Sequence, residues 1–230
     1  MSRPTFVLSL GGSIVAPERG IDTAFLTGFR DLILRHVSRG WRFLIVVGGG
    51  VTARHYQDAA RELSDLTRED LDWLGIHATR LNGHLLRTMF RGVAHPAVVK
   101  DPTRSPKSWV KPVMIGAGWK PGWSTDYVAV RLAKRMGTDF IVNLSNIDYL
   151  YSEDPKKNPK AEPICEIGWK DFQEMVGETW DPGMNAPFDP VASKLARTSK
   201  MKVAIVNGTD LKNLDALLCG HRFTGTMVGG

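Results

Sequence analysis

Short apolar segments alternate with amphipathic ones along the whole chain, and this alternation limits the folds that it can adopt. Strand-like runs are expected at residues 5–10, 43–47, 97–99, 113–115, 140–144 and 203–206. The helical spacing of apolar residues predicts helices at 22–39, 51–63, 125–136, 169–176, 189–199 and 211–218. A further long helix should follow a capping-box pattern at 67–70. We therefore expect an α/β protein, a three-layer αβα sandwich with a largely parallel central sheet.

Glycine-rich or polar turns follow several of the predicted strands. They are GGS at 11–13, GGG at 48–50, GAGWKPGWSTD at 116–126 and NLSNID at 143–148. Ligands of open α/β sheets bind beyond the carboxyl ends of the strands, and the backbone N–H groups of glycine turns can approach phosphate oxygens closely. A single glycine turn also ends a strand for steric reasons, but several such turns in one chain indicate a cleft for phosphates or nucleotides.

The chain lacks two standard nucleotide-binding signatures. It has no G-x-x-x-x-G-K-[ST] sequence, which excludes a P-loop, and no G-x-G-x-x-G sequence opens a helix after a strand. The second absence argues against a dinucleotide-dependent oxidoreductase. The formal net charge of +6 is spread along 230 residues and suits anionic small substrates, and no basic and aromatic stripe for nucleic acid is present. We expect a small-molecule partner and no nucleic acid.

The sequence gives no sign of membrane insertion or secretion. No apolar run reaches the roughly 18 residues of a spanning helix, and Met1–Pro4 leads into a strand without a signal-peptide pattern. The 2 cysteines lie far apart, too few for a disulfide framework or a structural zinc site. We therefore expect a cytoplasmic protein with no membrane partner and no metal held by side chains alone.

An ordered series of motifs connects the turns. It consists of GGS (11–13), GGGVTARHY (48–56), DWLGIHATRLN (72–82), PGWSTD (121–126), NLSNIDYLYSEDPKKNP (143–159) and NAPFDPVASKLA (185–196). This series resembles the amino acid kinase superfamily, and within it the archaeal-type UMP kinases, over nearly the whole chain. The resemblance implies one kinase domain at 1–230, with an acceptor-binding lobe at 1–137 and an ATP-binding lobe at 138–230.

The resemblance also implies a reaction and an assembly. The reaction is transfer of the γ-phosphoryl group of ATP to UMP, with Mg²⁺ as the cofactor of the nucleotide. The assembly is a homo-oligomer, a hexamer built as a trimer of dimers, with the helix from Asp22 and the long helix after Thr67 as candidate interface elements.

Residues that match the ATP-binding motifs come from three turns. They are Gly12, Ser13, Gly50, Arg54, Ser145, Asn146, Tyr151 and Asp154. The glycines and Ser13 would offer donors to the phosphates, Tyr151 an aromatic face and Asp154 an acceptor for a ribose hydroxyl. A hairpin followed by an Asp-Pro turn is the alternative explanation of the last two residues.

The residues that match the UMP-binding motifs lie in the second glycine turn, the long helix and the Trp-rich loop. They are Gly49, Asp72, Trp119, Lys120, Pro121, Gly122, Trp123, Ser124 and Thr125. Asp72 resembles the family carboxylate that contacts the nucleoside, but Asp is also favoured in the first turns of any helix. Arg80 and Asn82 complete the matching stretch and are left unassigned, since they can equally shape helix packing.

Arg54, Asp126 and Lys194 are the predicted catalytic residues. The guanidinium fork of Arg54 suits phosphate recognition, Asp126 matches a carboxylate that organises the transferred group, and Lys194 would point at the phosphates. A solvated arginine, a helix cap and a surface lysine are the respective alternatives.

The chain departs from the family pattern at a few positions. Ser9 stands where many members carry a lysine, so charge stabilisation would come from Mg²⁺, backbone N–H groups and Arg54, Lys120 or Lys194. The tryptophans at 119 and 123 replace smaller residues or histidine, and Tyr149 replaces a glycine. Lys120 is a departure of the same kind as the two tryptophans. These departures leave two alternatives: a kinase of the same fold for another small acceptor, and a non-catalytic nucleotide- or oxyanion-binding protein.

Overall fold

A mostly parallel sheet of seven strands forms the centre of the structure. The computed structural model describes residues 3–106, 108–153, 158, 160–177 and 186–230. Its strands are β1 (Thr5–Leu10), β2 (Arg42–Val47), β3 (Val113–Gly116), β4 (Phe140–Ser145), β5 (Leu150–Tyr151), β6 (Pro163–Ile164), β7 (Glu166–Ile167), β8 (Lys202–Asn207) and β9 (Thr226–Val228). The order in the sheet is β3-β2-β1-β4-β8-β9-β7, with β8 and β9 as the antiparallel pair. β5 and β6 pair separately.

Helices cover both faces of this sheet. They are α1 (Gly12–Val15), α2 (Thr23–Ser38), α3 (Gly50–Leu63), α4 (Arg68–Met89), α5 (Thr125–Met136), α6 (Trp169–Val176), α7 (Pro190–Thr198) and α8 (Leu211–Leu218). Leu8 and Leu10 of β1 belong to a core with α2, α4 and α8, whereas Val7 belongs to a core with α5, α6 and α7. Side chains alternate between the faces of a strand, so each buried strand serves both cores. The predicted three-layer αβα sandwich is confirmed.

The long helix α4 begins as its sequence predicts. The hydroxyl of Thr67 accepts a hydrogen bond from the backbone N–H of Asp70, and the Asp70 carboxylate accepts one from the N–H of Thr67, at 2.9 Å. This capping box satisfies backbone donors that the first turn of a helix leaves free. α4 is amphipathic, and no helix in the described part of the chain is both long and apolar enough to cross a membrane.

The predicted strand at 97–99 is wrong. The segment touches the sheet through two isolated bridges, Ala94 with Val113 and Val99 with Gly116. Between the two bridges, the segment from Ala94 to Val99 contains more residues than the segment from Val113 to Gly116, so the two segments cannot form a continuous ladder of hydrogen bonds. Pro96 also removes a backbone donor between them. The other predicted strands and helices are present, whereas α1, β5, β6, β7 and β9 were not predicted because they are too short to show a period.

Candidate active site

A cavity of about 610 Å³ lies at the carboxyl ends of β1, β2 and β4. Its wall includes the turns after these strands, the start of α5, one face of α4, part of α3 and residues 186–187. Ligands of parallel α/β sheets bind at this edge. The cavity therefore lies where the glycine-rich turns predict a cleft.

The glycine turns after β1 and β2 touch each other inside this cavity. The backbone N–H of Gly48 donates to the carbonyl of Leu10, at 2.9 Å. A Cβ atom on Gly12 would lie 2.1 Å from the backbone nitrogen of Gly50, and one on Gly50 would lie 2.3 Å from the carbonyl oxygen of Gly12. Gly50 also has a φ of +65°, which favours glycine. Only residues without a side chain allow this approach.

A buried amide of α4 holds the second glycine turn, and a buried amide of α3 joins α3 to α4. The buried amide of Asn82 donates to the carbonyls of Gly48 and Gly49, at 2.9 and 3.2 Å. Gln57 of α3 donates to the carbonyl of Leu71, at 2.8 Å, and lines the cavity. Both amides are buried. Asn82 was left unassigned from the sequence and Gln57 was missed; both support the backbone of the site.

The loop at 116–126 is attached to α4 by polar contacts. The hydroxyl of Thr79 accepts from the N–H of Gly118, at 2.7 Å, and Arg80 donates to the carbonyls of Gly118 and Trp119, at 3.2 and 2.8 Å. Thr79 and Asp72 line the cavity at helical spacing. That spacing is the signal that could have identified Thr79 from the sequence.

The Asp72 carboxylate anchors the tip of the same loop. It accepts a hydrogen bond from the N–H of Gly122, at 2.7 Å. Partial burial raises the pKa of Asp72 above its ordinary value, and the Gly122 hydrogen bond opposes this rise. Asp72 is therefore a half-buried acceptor between α4 and the loop, facing the cavity.

The aromatic ring of Trp123 lines the cavity and packs with aromatic side chains behind the wall. The ring of Trp123, which lines the cavity, stacks on Tyr127 with 4.0 Å between centroids. Trp119 lies 6.0 Å from Trp123, and the ammonium of Lys120 lies 4.6 Å from the centroid of Trp119. The ring of Trp123 thus packs against two other aromatic rings and presents an apolar surface to the cavity.

Asp126 is held by two protein donors. The Ser9 hydroxyl donates to its Oδ1, at 2.7 Å, and the backbone N–H of Asp189 donates to its Oδ2, at 3.2 Å. Burial raises the pKa of Asp126 to about 6, the negative charge of Asp189 adds to the rise, and the Ser9 hydrogen bond opposes it. Asp126 lines the cavity, so a partly accessible carboxylate of unusual basicity faces it.

Asp189 begins α7 just behind Asp126. Its Oδ1 accepts from the N–H of Ala192, at 2.7 Å, as a helix cap. Burial raises the pKa of Asp189, while hydrogen bonds from Ser124 and from backbone N–H groups lower it. Two carboxylates are therefore close together at the joint start of α5 and α7.

Most of the predicted ligand residues are brought together in the cavity. Its wall includes Gly12, Ser13, Gly49, Gly50, Arg54, Asp72, Trp123, Ser124, Thr125, Asp126, Ser145 and Asn146. The guanidinium of Arg54 lies 3.4 Å from the hydroxyl of Ser13, so the two predicted phosphate ligands are adjacent.

Other predicted residues lie outside the cavity wall. Trp119, Lys120, Pro121 and Gly122 belong to the loop beside it, and Tyr151 lies on β5. Lys194 is exposed on α7 and does not line the cavity. Asp154 lies outside the described residues.

The residues of the cavity suit a metal ion that binds as part of a nucleotide complex. Both oxygens of Asp126 already accept protein hydrogen bonds, and Asp189 caps a helix. Within the described ranges, the group of close metal-ligating side chains is His36, Asp215 and Cys219, and none of these lines the cavity. This arrangement fits Mg²⁺ coordinated mainly by phosphate oxygens and water, the usual mode of nucleotide-bound Mg²⁺.

The cavity lies at the carboxyl edge of a parallel sheet, is lined by glycines and adjoins the amino termini of α3 and α5. This arrangement is typical of α/β proteins that bind phosphates or nucleotides. Residues 4–207 match the amino acid kinase family. The chain belongs to the amino acid kinase family, which confirms the predicted superfamily.

Similar proteins extend over the whole chain. A uridylate kinase of Methanospirillum hungatei is 36% identical over 227 residues, which cover 98% of this chain and 94% of that protein. The crystal structure of a uridylate kinase from Archaeoglobus fulgidus has a TM-score of 0.83 at 31% identity, covering 98% of this chain and 100% of that one. An aspartate kinase structure from Synechocystis has a TM-score of 0.76 at 18% identity, covers 98% of this chain and 40% of that one, and shows the fold alone.

Replacing Gly12 tests the contact between the glycine turns. We expect Gly12→Ala to lower the free energy of unfolding by about 3 kcal/mol or more, because its methyl group would overlap the backbone of Gly50. The measurement is urea unfolding. Gly92→Ala is the control, since a Cβ there meets no atom within 4 Å. Equal stability of the two variants would contradict the observed packing.

Asp126→Asn tests the cost of holding a charged carboxylate in the site. The pKa of Asp126 rises from 3.8 to about 6 on folding, so its ionisation destabilises the folded protein as pH increases through this range. We expect Asp126→Asn to be more stable than wild type by about 1–3 kcal/mol at pH 7, with a smaller difference at pH 4.

Thermal and urea unfolding at the two pH values measure this effect. The exposed, surface-paired Asp31 supplies the control Asp31→Asn, which should change stability little at either pH. A loss of stability in Asp126→Asn at pH 7 would show that the carboxylate stabilises the fold.

Proposed function

We propose that the protein is a UMP kinase, which transfers the γ-phosphoryl group of ATP to UMP and yields UDP for pyrimidine nucleotide biosynthesis. The relatives in M. hungatei and A. fulgidus are uridylate kinases, and their similarity covers nearly the whole chain. The contact between the turns at Gly12 and Gly50 in one cavity is the observation on which the proposal rests. Two nucleotides laid phosphate to phosphate would react at this contact.

The strand order supports separate positions for the two nucleotides. The loop with the predicted UMP residues follows β3, the turn with Ser145 and Asn146 follows β4, and β2 and β1 lie between them. We therefore place UMP beside Asp72 and Trp123, and ATP beside Ser145 and Asn146. On this proposal the acceptor lobe at 1–137 and the ATP lobe at 138–230 share one continuous sheet.

The proposed chemistry depends on position and charge. Gly12, Gly50 and Ser13 supply donors to the phosphates, and the Arg54 guanidinium neutralises charge that develops on the transferred group. Asp126 orients that group at the joint start of α5 and α7. A UMP phosphate oxygen attacks the γ-phosphorus in line while the bond from the γ-phosphorus to the bridging oxygen breaks, so ADP leaves and no covalent enzyme intermediate forms.

Mg²⁺ belongs to this proposal as the partner of ATP. When bound, it neutralises phosphate charge, and Asp126 is the cavity residue that we expect to orient its hydration shell. Lys194 is exposed and remains a prediction as a phosphate ligand. Lys120 lies over Trp119 beside the cavity, and both lysines are candidates for the cation that stands in for the missing lysine at Ser9.

A panel of acceptors with MgATP and coupled detection of ADP tests the proposal. UMP should be the best acceptor among nucleoside monophosphates. Turnover of acetylglutamate or isopentenyl phosphate with no turnover of UMP would assign the chain to another kinase of this fold. Tight ATP binding without ADP formation on any acceptor would assign it to a non-catalytic nucleotide-binding protein.

Arg54→Ala should reduce kcat/KM for UMP at least about 30-fold, because a charged phosphate contact contributes about 2 kcal/mol. Arg61→Ala is the matched control, since Arg61 lies on the same helix and pairs with the exposed Asp58. Arg54→Lys should recover only part of the loss because lysine lacks the fork. Equal rates for Arg54→Ala and Arg61→Ala would remove Arg54 from the reaction.

We also propose a cytoplasmic homo-oligomer, assembled as a hexamer from dimers. Of the two predicted interface helices, α4 carries Leu81, which is 63% exposed, and the neighbouring α3 carries Tyr56 and Leu63, which are 64% and 85% exposed. These side chains support an interface on α3 and α4, and the interface on α2, the helix from Asp22, stays a prediction. Leu85 and Trp73 of α4 are also exposed. Such a group of apolar side chains marks an interaction surface more often than a solvated one.

Leu81→Glu tests this interface. We expect the variant to have a lower mass than wild type in sedimentation velocity, because a charge would be buried without a partner between subunits. Met175→Glu is the control, an exposed apolar residue on α6. A monomeric wild type, or an unchanged mass in Leu81→Glu, would contradict the proposed interface.

A further inference from the structure

Ser9 and Asn143 form a polar pair on the floor of the cavity. They are opposite each other in the parallel pairing of β1 with β4, so their side chains project from the same face of the sheet. Ser9 is 3% exposed and Asn143 is 5% exposed. Their contacts lead to different helices, since Ser9 donates to Asp126 of α5 and Asn143 donates to the carbonyl of Pro187, just before α7.

Asp126 links the contact from Ser9 to the start of α7. Its second oxygen accepts from the N–H of Asp189, which begins α7. The starts of α5 and α7 are thus joined to each other through Asp126 and to neighbouring strands through Ser9 and Asn143. Both oxygens of the carboxylate have a fixed donor, so the plane of the group is defined by Ser9 on one side and by Asp189 on the other.

We propose that Ser9 is a positioning residue for phosphoryl transfer. Its hydroxyl fixes the Asp126 carboxylate between α5, which belongs to the proposed UMP-binding lobe, and α7, which belongs to the proposed ATP-binding lobe. The inference rests on the proposed function. Loss of the hydroxyl leaves Oδ1 of Asp126 without its donor and lets the carboxylate rotate about Cβ–Cγ. The nucleotide-binding surfaces keep their shape because the backbone of β1 is held by β2 and β4 on either side.

Among the described residues, the charged side chains of Arg54 and Asp72 line the same cavity as Asp126. Asp189 faces it from α7, where Lys194 and Arg197 are farther along the helix and exposed. β1 and β4 contain no titratable side chain, and β2 has only Arg42, at the end remote from the cavity. Ser9→Ala alters none of these charges, so a change in the titration of Asp126 in this variant reports the lost hydrogen bond.

The test compares Ser9→Ala with Ser9→Thr, which keeps the hydroxyl on a β-branched residue suited to a strand. In the MgATP and UMP assay, we expect Ser9→Ala to lower kcat at least about tenfold, with both KM values within about twofold of wild type. The acid limb of its kcat profile should move to higher pH, because a donor that favours the charged carboxylate has been removed. Ser9→Thr should restore most of kcat and the wild-type profile.

Ser105→Ala is the matched control. Ser105 is 4% exposed and its hydroxyl donates to the carbonyl of Pro102, outside the cavity. This variant should retain the wild-type kcat and pH profile. An unchanged kcat in Ser9→Ala, or a loss of kcat without a shift of the acid limb, would overturn the inference.

A carbon-13 NMR titration of the Asp126 carboxyl separates this inference from the proposed function. Ser9→Ala should raise the pKa of Asp126 and Ser105→Ala should not, whether or not UMP is phosphorylated. An inactive wild type with this shift present would refute the proposed function, and with it the role of Ser9 in phosphoryl transfer, while the effect of the Ser9 hydrogen bond on Asp126 would stand. Superimposable titrations of wild type and Ser9→Ala would refute the positioning role alone.

Discussion

The contact between two backbone turns, at Gly12 and Gly50, determines the form of the site. β1 and β2 end together in register, with Leu10 opposite Val47, so the chain leaves both strands at the same level. Any side chain on Gly12 or Gly50 would separate the turns. Because the turns touch, α3 starts at the cavity and brings Arg54 to Ser13, and the turns after β3 and β4 flank one common space.

The negative charges of two carboxylates at the cavity lower the stability of the folded protein. Asp126 and Asp189 lie together in a poorly solvated region, and burial raises the pKa of both. A fold selected for stability alone would replace one of them by a neutral residue. Their presence is understandable if the site needs a carboxylate of defined orientation, since groups that cost stability concentrate where a protein acts on its ligand.

Local patterns predicted the elements, and tertiary contacts decided the site. α5 was predicted with its observed bounds because Ser124 caps its start and Gly137 ends it in the left-handed region. The prediction of a strand at 97–99 was wrong because apolar composition does not reveal that this segment is out of step with β3 between its two bridges. The bond between Ser9 and Asp126 joins distant parts of the chain, so no local pattern could show it. Trp119 to Gly122 correspond in position to a binding segment of the family, yet this part of the loop lies beside the cavity wall, where α4 anchors it through Arg80 and Asp72.

The antiparallel strand β9 has a consequence for the order in which the sheet assembles. It lies between β8 and β7, although β7 precedes it in the chain. The hydroxyl of its residue Thr226 also accepts a hydrogen bond from the N–H of Leu150 and donates one to the carbonyl of Ile164. These two bonds attach β5 and β6 to β9. During synthesis, the half of the sheet from β3 to β4 can therefore pair early, while the outer edge waits until residues 226–228 leave the ribosome.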